Sequence, residues 1–255
     1  MKSVIYETKG RAREFNELAI NLFTGCGHQC IYCYGAGVTH QTKESFEKQP
    51  QIRVTEHDVL QSAQSWKNEG ETRRVLLCFV TDPYQELEQE TQLTRKCIMA
   101  LHQKGLNVVI LTKGGVRSMR DFDLLTPKDA YATTLTCLQE NDSLNWEPNA
   151  ALPSARIKAI EEANKRDIET WVSLEPVIYP EVAKLFVERL HGIVGHFKIG
   201  TMNYHQHGKT INWHKFGWEM KELCDSVGAK YYFKNDLLKE MGTSPEKFNQ
   251  TWVCH

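Results

Sequence analysis

Three cysteines fall within eight residues, Cys26, Cys30 and Cys33, in the order Cys-x3-Cys-x2-Cys inside the segment 25–34. Thiolates are the usual protein ligands of iron–sulfur clusters. Three of them on one short loop can hold three corners of a [4Fe–4S] cubane and leave the fourth iron without a protein ligand. An open metal position is where a cofactor or substrate can bind. A zinc site is the competing chemistry, with His28 or His40 as the fourth ligand. Structural zinc modules, however, present two separated pairs, and no second Cys-x2-Cys pair follows. The other five cysteines, Cys78, Cys97, Cys137, Cys224 and Cys254, are scattered and read as small core hydrophobes.

The elements that must carry this loop are legible as a rhythm. Apolar runs at 18–23, 75–80, 107–112, 131–135, 170–174 and 196–200 read as strands, with a further one at 230–233. Amphipathic stretches at 58–66, 91–103, 154–165, 180–190 and 213–227 read as helices. Ser154 is an expected N-cap, Pro180 a helix-opening proline, and Gly105 and Gly228 are expected C-terminal caps. Strands alternating with helices imply a parallel sheet with right-handed crossovers. The expected fold is α/β, a partial or full (β/α) barrel of about six parallel strands. A doubly wound open sheet competes, but no Gly-x-Gly-x-x-Gly turn follows the first strand. In a barrel, chemistry gathers at the C-terminal ends of the strands. The cysteine loop directly follows the first strand.

The triad, with an aromatic (Tyr32) before its last cysteine, resembles the signature of the radical S-adenosylmethionine (SAM) superfamily. Thr81-Asp82-Pro83-Tyr84-Gln85, Leu93-Thr94-Arg95, Leu111-Thr112-Lys113, the segment 120–125, Trp146-Glu147-Pro148-Asn149-Ala150, Pro153 and Arg156 resemble its spore photoproduct lyase-like branch, over roughly residues 18–180. The C-terminal third, with Tyr232-Phe233-Lys234, resembles phage-associated members. The resemblance implies one domain over 1–255, with a core at 18–200 and a substrate-side extension at 201–255. It implies a [4Fe–4S] cluster on Cys26, Cys30 and Cys33, and SAM as cofactor. Reductive cleavage of SAM then yields a 5′-deoxyadenosyl radical that abstracts hydrogen from a substrate. Tyr32 matches the aromatic that lies against the adenine, Lys113 the lysine that pairs with the SAM carboxylate, and Thr134 a hydroxyl that contacts SAM. Partners implied are a nucleobase or nucleotide, alone or in nucleic acid, and a reducing donor such as flavodoxin or ferredoxin.

One departure bears on the reaction. The resembled lyases quench the product radical with a cysteine near the end of the second predicted strand. The matching position here is Phe79, with Cys78 beside it. Adjacent strand residues point to opposite faces, so alternation turns Cys78 away from the interior. Cys78 and Glu175 are the catalytic candidates, Glu175 because it ends a predicted strand on the active rim. Asp82, or a backbone carbonyl near it, is placed to meet the SAM ammonium group. Glu147 and Arg156 are expected to form either a polar brace over the cofactor or a surface ion pair of little value.

Beyond the core, the segment 203–215 interleaves Tyr204 and Trp213 with His205, His207, Lys209, His214 and Lys215, a mixture suited to base stacking and phosphate contact. The net charge of −1 argues against a large non-specific nucleic-acid footprint. No signal-peptide pattern opens the chain and no apolar run approaches a membrane span, so the expectation is a cytoplasmic protein without membrane contact. The alternative reading of function is a non-catalytic zinc-binding module that binds nucleic acid.

Overall fold

The computed structural model describes residues 3–248, so Cys254 lies outside the described residues. Eight strands form one sheet in chain order: β1 Tyr6–Glu7, β2 Leu18–Ile20, β3 Val75–Leu77, β4 Val108–Thr112, β5 Ala130–Thr134, β6 Glu169–Leu174, β7 His196–Ile199 and β8 Tyr231–Phe233. β1 is antiparallel to β2, and β2 to β8 are all parallel. The α/β expectation holds, with seven parallel strands rather than six. The added one is the run at 230–233.

Helices α1 Gly35–Val38, α2 Lys43–Lys48 and α3 Glu56–Asn68 lie between β2 and β3, and α4 Glu86–Thr91 and α5 Leu93–Gln103 precede β4. α6 Glu140–Trp146 and α7 Pro153–Lys165 precede β6, α8 Pro180–Leu190 precedes β7, α9 Trp213–Val227 precedes β8, and α10 Asn235–Glu240 follows it. α3 starts earlier than its apolar periodicity suggests, because Thr55 and Asp58 form a reciprocal capping box. α7 is capped differently from expectation. Leu152 is its N-cap and Pro153 takes the first helical position, where a missing N–H costs nothing. Gly228 ends α9 with a φ of 67°, as a C-terminal glycine should.

Strand alternation divides the sheet into two faces. Leu18, Ile20, Val75, Leu77, Val108, Ile110, Val172, Leu174, Phe197, Ile199 and Phe233 join the large core beneath the helices. Ala19, Leu76, Val109, Ala130, Ala132 and Trp171 form a second, smaller cluster on the opposite face, with Phe15, Phe79 and Leu111 packed on it. Three of those six are alanine, which suits the concave side of a curved sheet, where side chains converge.

The sheet is not closed by strand pairing. The segment before β2, with a 3-10 turn at Gly10–Glu14, bridges toward β7 and β8 instead. The Glu14 carboxylate accepts from the Asn235 backbone N–H at 2.7 Å and the Tyr232 hydroxyl at 3.3 Å. Lys198 donates to the Glu14 and Phe15 carbonyls at 3.2 and 2.8 Å. Phe15 enters the concave face, 5.5 Å from the Phe79 ring and 6.5 Å from Trp171. Among the described residues, no helix is long and apolar enough to cross a membrane.

Candidate active site

The cysteine loop leaves β2 and is stapled to its surroundings by amide side chains. Gln85 accepts from the Gly27 N–H and donates to the Gly25 carbonyl, both at 2.9 Å. Asn149 donates to the Gly27 carbonyl at 2.9 Å through its side chain. The Ile31 N–H donates to the Trp146 carbonyl, and the Cys33 N–H to the Cys30 carbonyl. Residues 26–33 are thus held on both sides, by the β3–α4 turn and by the end of α6 with the residues after it. Burial pushes the Cys30 thiol up to about 12, and Lys113 opposes it. Burial also raises the Cys26 and Cys33 thiols. Loading a metal must therefore release protons from these groups.

Behind the loop lies a buried charge system. Tyr32 donates its hydroxyl proton to Glu147. Glu147 and Arg156 pair at 2.6 Å with side chains 0% and 1% exposed. Arg156 also donates to the Thr134 carbonyl at 3.1 Å and the Ala151 carbonyl at 2.7 Å. Burial works against the Glu147 carboxylate, yet Arg156 and Lys113 outweigh it and hold its pKa below the ordinary value. The pair is therefore the buried brace, not a surface salt bridge. The Lys113 ammonium lies 5.8 Å from the Tyr32 ring centre. Burial disfavours its charge, but Cys30 and Glu147 more than restore it.

Asp82 sits between this system and the strands. Its carboxylate accepts from Tyr84 N–H (2.8 Å), Thr112 hydroxyl (2.6 Å) and Lys113 N–H (2.7 Å), with His28 Nδ1 at 3.6 Å. Both oxygens are engaged inside the protein, so Asp82 sets the backbone of the Lys113 turn. The other ring nitrogen of His28 faces Arg117 at 3.3 Å. Burial lowers the His28 pKa to about 4. Both nitrogens of His28, one of the two histidines that a zinc site could draw on, thus already have partners. Among the described residues, no group of three or more His, Cys, Asp or Glu side chains, the three loop thiols included, converges on a point for a single metal ion. The donor set on the loop is three thiols without a fourth ligand, which suits a cluster with one open iron better than a closed zinc site.

Gly114 serves packing beside Lys113. A Cβ there would stand 2.5 Å from the Tyr84 Cβ.

The sequence nominates Cys78 for chemistry, and the structure places it elsewhere. Its φ is +63°, which ends β3 and breaks the alternation. Leu77 and Cys78 both join the core beneath the helices, and Phe79 turns to the concave face. The Cys78 thiol is buried and pushed up to about 12. Thr134 continues the concave row of Ala130 and Ala132 and is 4% exposed. Glu175 lies just beyond β6 and pairs with Lys234. Burial raises its carboxyl pKa, against the pull of Lys234. Gly200 makes room for that pair, since a Cβ would lie 2.9 Å from the Glu175 Cδ.

Gln85, Asn149 and Lys234 fall inside the motifs named above without a role of their own, and Phe15 and Tyr34 carry no sequence signal for theirs. Their signals are weak because each acts through contacts distant in the chain. The Lys234 ammonium, for example, lies 3.1 Å from the Phe15 ring centre.

No family model matches the chain. The uncharacterized protein ORF301 of Acidianus two-tailed virus is 23% identical over 258 residues, covering 90% of this chain and 83% of its own. Spore photoproduct lyase complexed with dinucleoside spore photoproduct superposes with a TM-score of 0.67 at 16% identity, over 88% of this chain and 79% of the lyase. A mutant of that lyase with bound AdoMet and the same dinucleoside gives the same TM-score and identity. SuiB of Streptococcus suis, bound to S-adenosylmethionine, superposes with a TM-score of 0.65 at 10% identity, over 87% of this chain and 51% of SuiB. The chain therefore shares the α/β fold of spore photoproduct lyase and SuiB. Within that fold its form is like that of spore photoproduct lyase.

Proposed function

We propose that this protein is a radical SAM enzyme, with Cys26, Cys30 and Cys33 holding a [4Fe–4S] cluster and SAM as the cofactor. The observation that carries the reading is the three-thiol loop after β2, stapled at the strand-end rim and backed by the Tyr32–Glu147–Arg156–Lys113 charge system. When bound, the cluster supplies the electron that cleaves SAM to methionine and a 5′-deoxyadenosyl radical, which abstracts a hydrogen atom from the substrate. The protein binds, orients and excludes water. In this reading Lys113 pairs with the SAM carboxylate, Tyr32 lies against the adenine, and Thr134 contacts the cofactor from the concave face. Asp82 is a positioning residue: it holds the Lys113 backbone N–H and leaves the SAM ammonium to carbonyls of the same turn. Arg156 keeps Glu147 ionised, which fixes the Tyr32 hydroxyl.

Phe79 faces the concave side where the resembled lyases carry their quenching cysteine, so the step after hydrogen abstraction differs from theirs. The substrate class we propose is a nucleobase or nucleotide, approaching past the Tyr34 and Phe79 rings, which stand 6.4 Å apart. Flavodoxin or ferredoxin is the proposed class of electron donor, and the proposed location is the cytoplasm.

The direct test is anaerobic reconstitution with iron and sulfide, followed by metal analysis and electron paramagnetic resonance of the reduced protein. About four irons per chain, the content of a [4Fe–4S] cluster, and a spectrum altered by SAM would support the reading. Stoichiometric zinc with no SAM-dependent signal would refute it.

A further inference from the structure

The loop after β7 carries an aromatic ring that the core does not use. Tyr204 is 74% exposed, more than any other large hydrophobic among the described residues. Its backbone sits at a φ of +64°, a region costly for a bulky side chain. Arg11, from the segment that plugs the sheet, donates to the Tyr204 hydroxyl at 3.2 Å and lies 5.5 Å from its ring centre. On the inward side the Tyr34 ring stands 5.9 Å away, and Phe79 follows at 6.4 Å from Tyr34. A row of rings thus runs from the concave face to the surface. A strained backbone that presents a ring to water, fixed from a distant segment, calls for a ligand rather than a packing role.

The loop is registered to the cluster side. His205 and His207 pack on Trp146 at 5.1 and 5.5 Å, and the Trp146 carbonyl receives the Ile31 N–H beside Cys30. His207 also bonds the Ile178 carbonyl at 2.9 Å. Outside Tyr204 lies a cavity of about 700 Å³, lined by Arg11, Lys209 and Lys239 against Asp236 and Glu240. Asp236 accepts from Thr201, Asn203 and the Leu237 N–H and stands 3.9 Å from the Arg11 guanidinium. The cavity thus sets three cations against two acids, with Lys209 and Lys239 the cations outside the Arg11–Asp236 pair, beside an open ring.

We propose that this cavity binds the nucleotide next to the reacting one in a single-stranded nucleic acid. Its base stacks on Tyr204, and its phosphates meet Arg11, Lys209 and Lys239. The inference rests on the radical reading above and names the substrate of that same site as a strand rather than a free nucleoside. Stacking suits any base, because every base has a π face.

The test is fluorescence anisotropy with labelled oligothymidylates of about two to eight nucleotides, on anaerobically reconstituted protein, over a salt series. Wild type is expected to bind, more weakly as salt rises, by about 0.7 in log–log slope per phosphate met. Loss of one base stack, about 1–3 kcal/mol, makes Tyr204→Ala about 5- to 150-fold weaker. Tyr204→Phe, which keeps the ring, should stay within about threefold of wild type, and Lys209→Ala with Lys239→Ala should flatten the salt slope by about 1.4 units. Equal binding by wild type and Tyr204→Ala would overturn the proposal, as would tighter binding of a labelled peptide of similar length. Deoxyadenosine formation by wild type, measured with SAM and dithionite alone, separates the two readings. If it occurs and strand binding fails, only this inference falls. If it fails while Tyr204-dependent binding persists, the radical reading falls.

Discussion

Arg156→Met should expose how much the site depends on one buried guanidinium. Arg156 is 1% exposed, pairs with Glu147 at 2.6 Å and donates to two carbonyls at 2.7 and 3.1 Å. Methionine fills part of the volume but leaves the Glu147 carboxylate buried without its main partner. Breaking a buried pair on one side costs about 3–5 kcal/mol. For a chain of this size about 1 kcal/mol moves the melting midpoint by about 2–4 °C, so a fall of about 6–20 °C is expected. The pH dependence follows from the same charge. In wild type the Glu147 pKa is held low, so its contribution is present at neutral pH and lost as pH falls. In Arg156→Met burial acts on Glu147 with little opposition and its pKa rises. The variant's deficit should therefore shrink on acidification, because the carboxyl protonates and no longer needs a partner. Pairing the change with Glu147→Leu should recover most of the loss, since an apolar pair of similar volume is often as stable as a buried ion pair. Urea unfolding of the four proteins at two pH values makes the cycle. A single variant within about 0.5 kcal/mol of wild type, below the effect of any buried pair, would refute the reasoning. So would a double variant no more stable than the single one.

Lys113→Met should keep the brown colour of the reconstituted cluster yet bind SAM about 10- to 150-fold more weakly, the loss of about 1.5–3 kcal/mol for a charged hydrogen bond. Calorimetric titration with SAM measures this, and unchanged affinity would remove Lys113 from the cofactor site. His196 stacks on Trp171 at 5.7 Å, and burial lowers its pKa to about 3. The unfolded chain then binds the extra proton between about pH 3 and 6.5, so stability falls as pH drops through that window. This group alone should cost about 2 kcal/mol at pH 5, and His196→Phe should lose that part of the acid sensitivity. Identical urea midpoints for wild type and variant across pH 7 to pH 5, apart from a constant offset, would contradict it. Gly200→Ala should destabilise by about 1–3 kcal/mol in thermal melting, because its Cβ would press on the Glu175–Lys234 pair. A neutral result would mean that the pair has room to move.

The alternating apolar runs made the parallel sheet legible, because a strand buried on both faces leaves few other readings for Val75–Leu77 or Val108–Thr112. The cysteine loop was legible for a similar reason: its ligands are neighbours in the chain. The partners that staple it were not. Gln85 and Asn149 reach the loop from 60 and more residues away, and an amide carries no periodic signal. The plug residues Glu14 and Phe15 were equally hidden. Their role appears only once curvature brings the chain start toward β7 and β8. Cys78 shows how a single dihedral decides a face: alternation from Leu76 would bring it to the concave side, and the positive φ instead turns it under the helices and Phe79 to the concave face. The C-terminal part gave composition without placement, and Tyr204 became distinctive only through its exposure and its contact with Tyr34.

The central claim is that the Cys26–Cys30–Cys33 loop serves SAM cleavage. The measurement that bears on it most directly is deoxyadenosine formed by anaerobically reconstituted protein with dithionite and SAM, beside a Cys30→Ala control. Deoxyadenosine from the wild type and none from the variant is the predicted result. A wild type that retains zinc, takes up no cluster and forms no deoxyadenosine would contradict it.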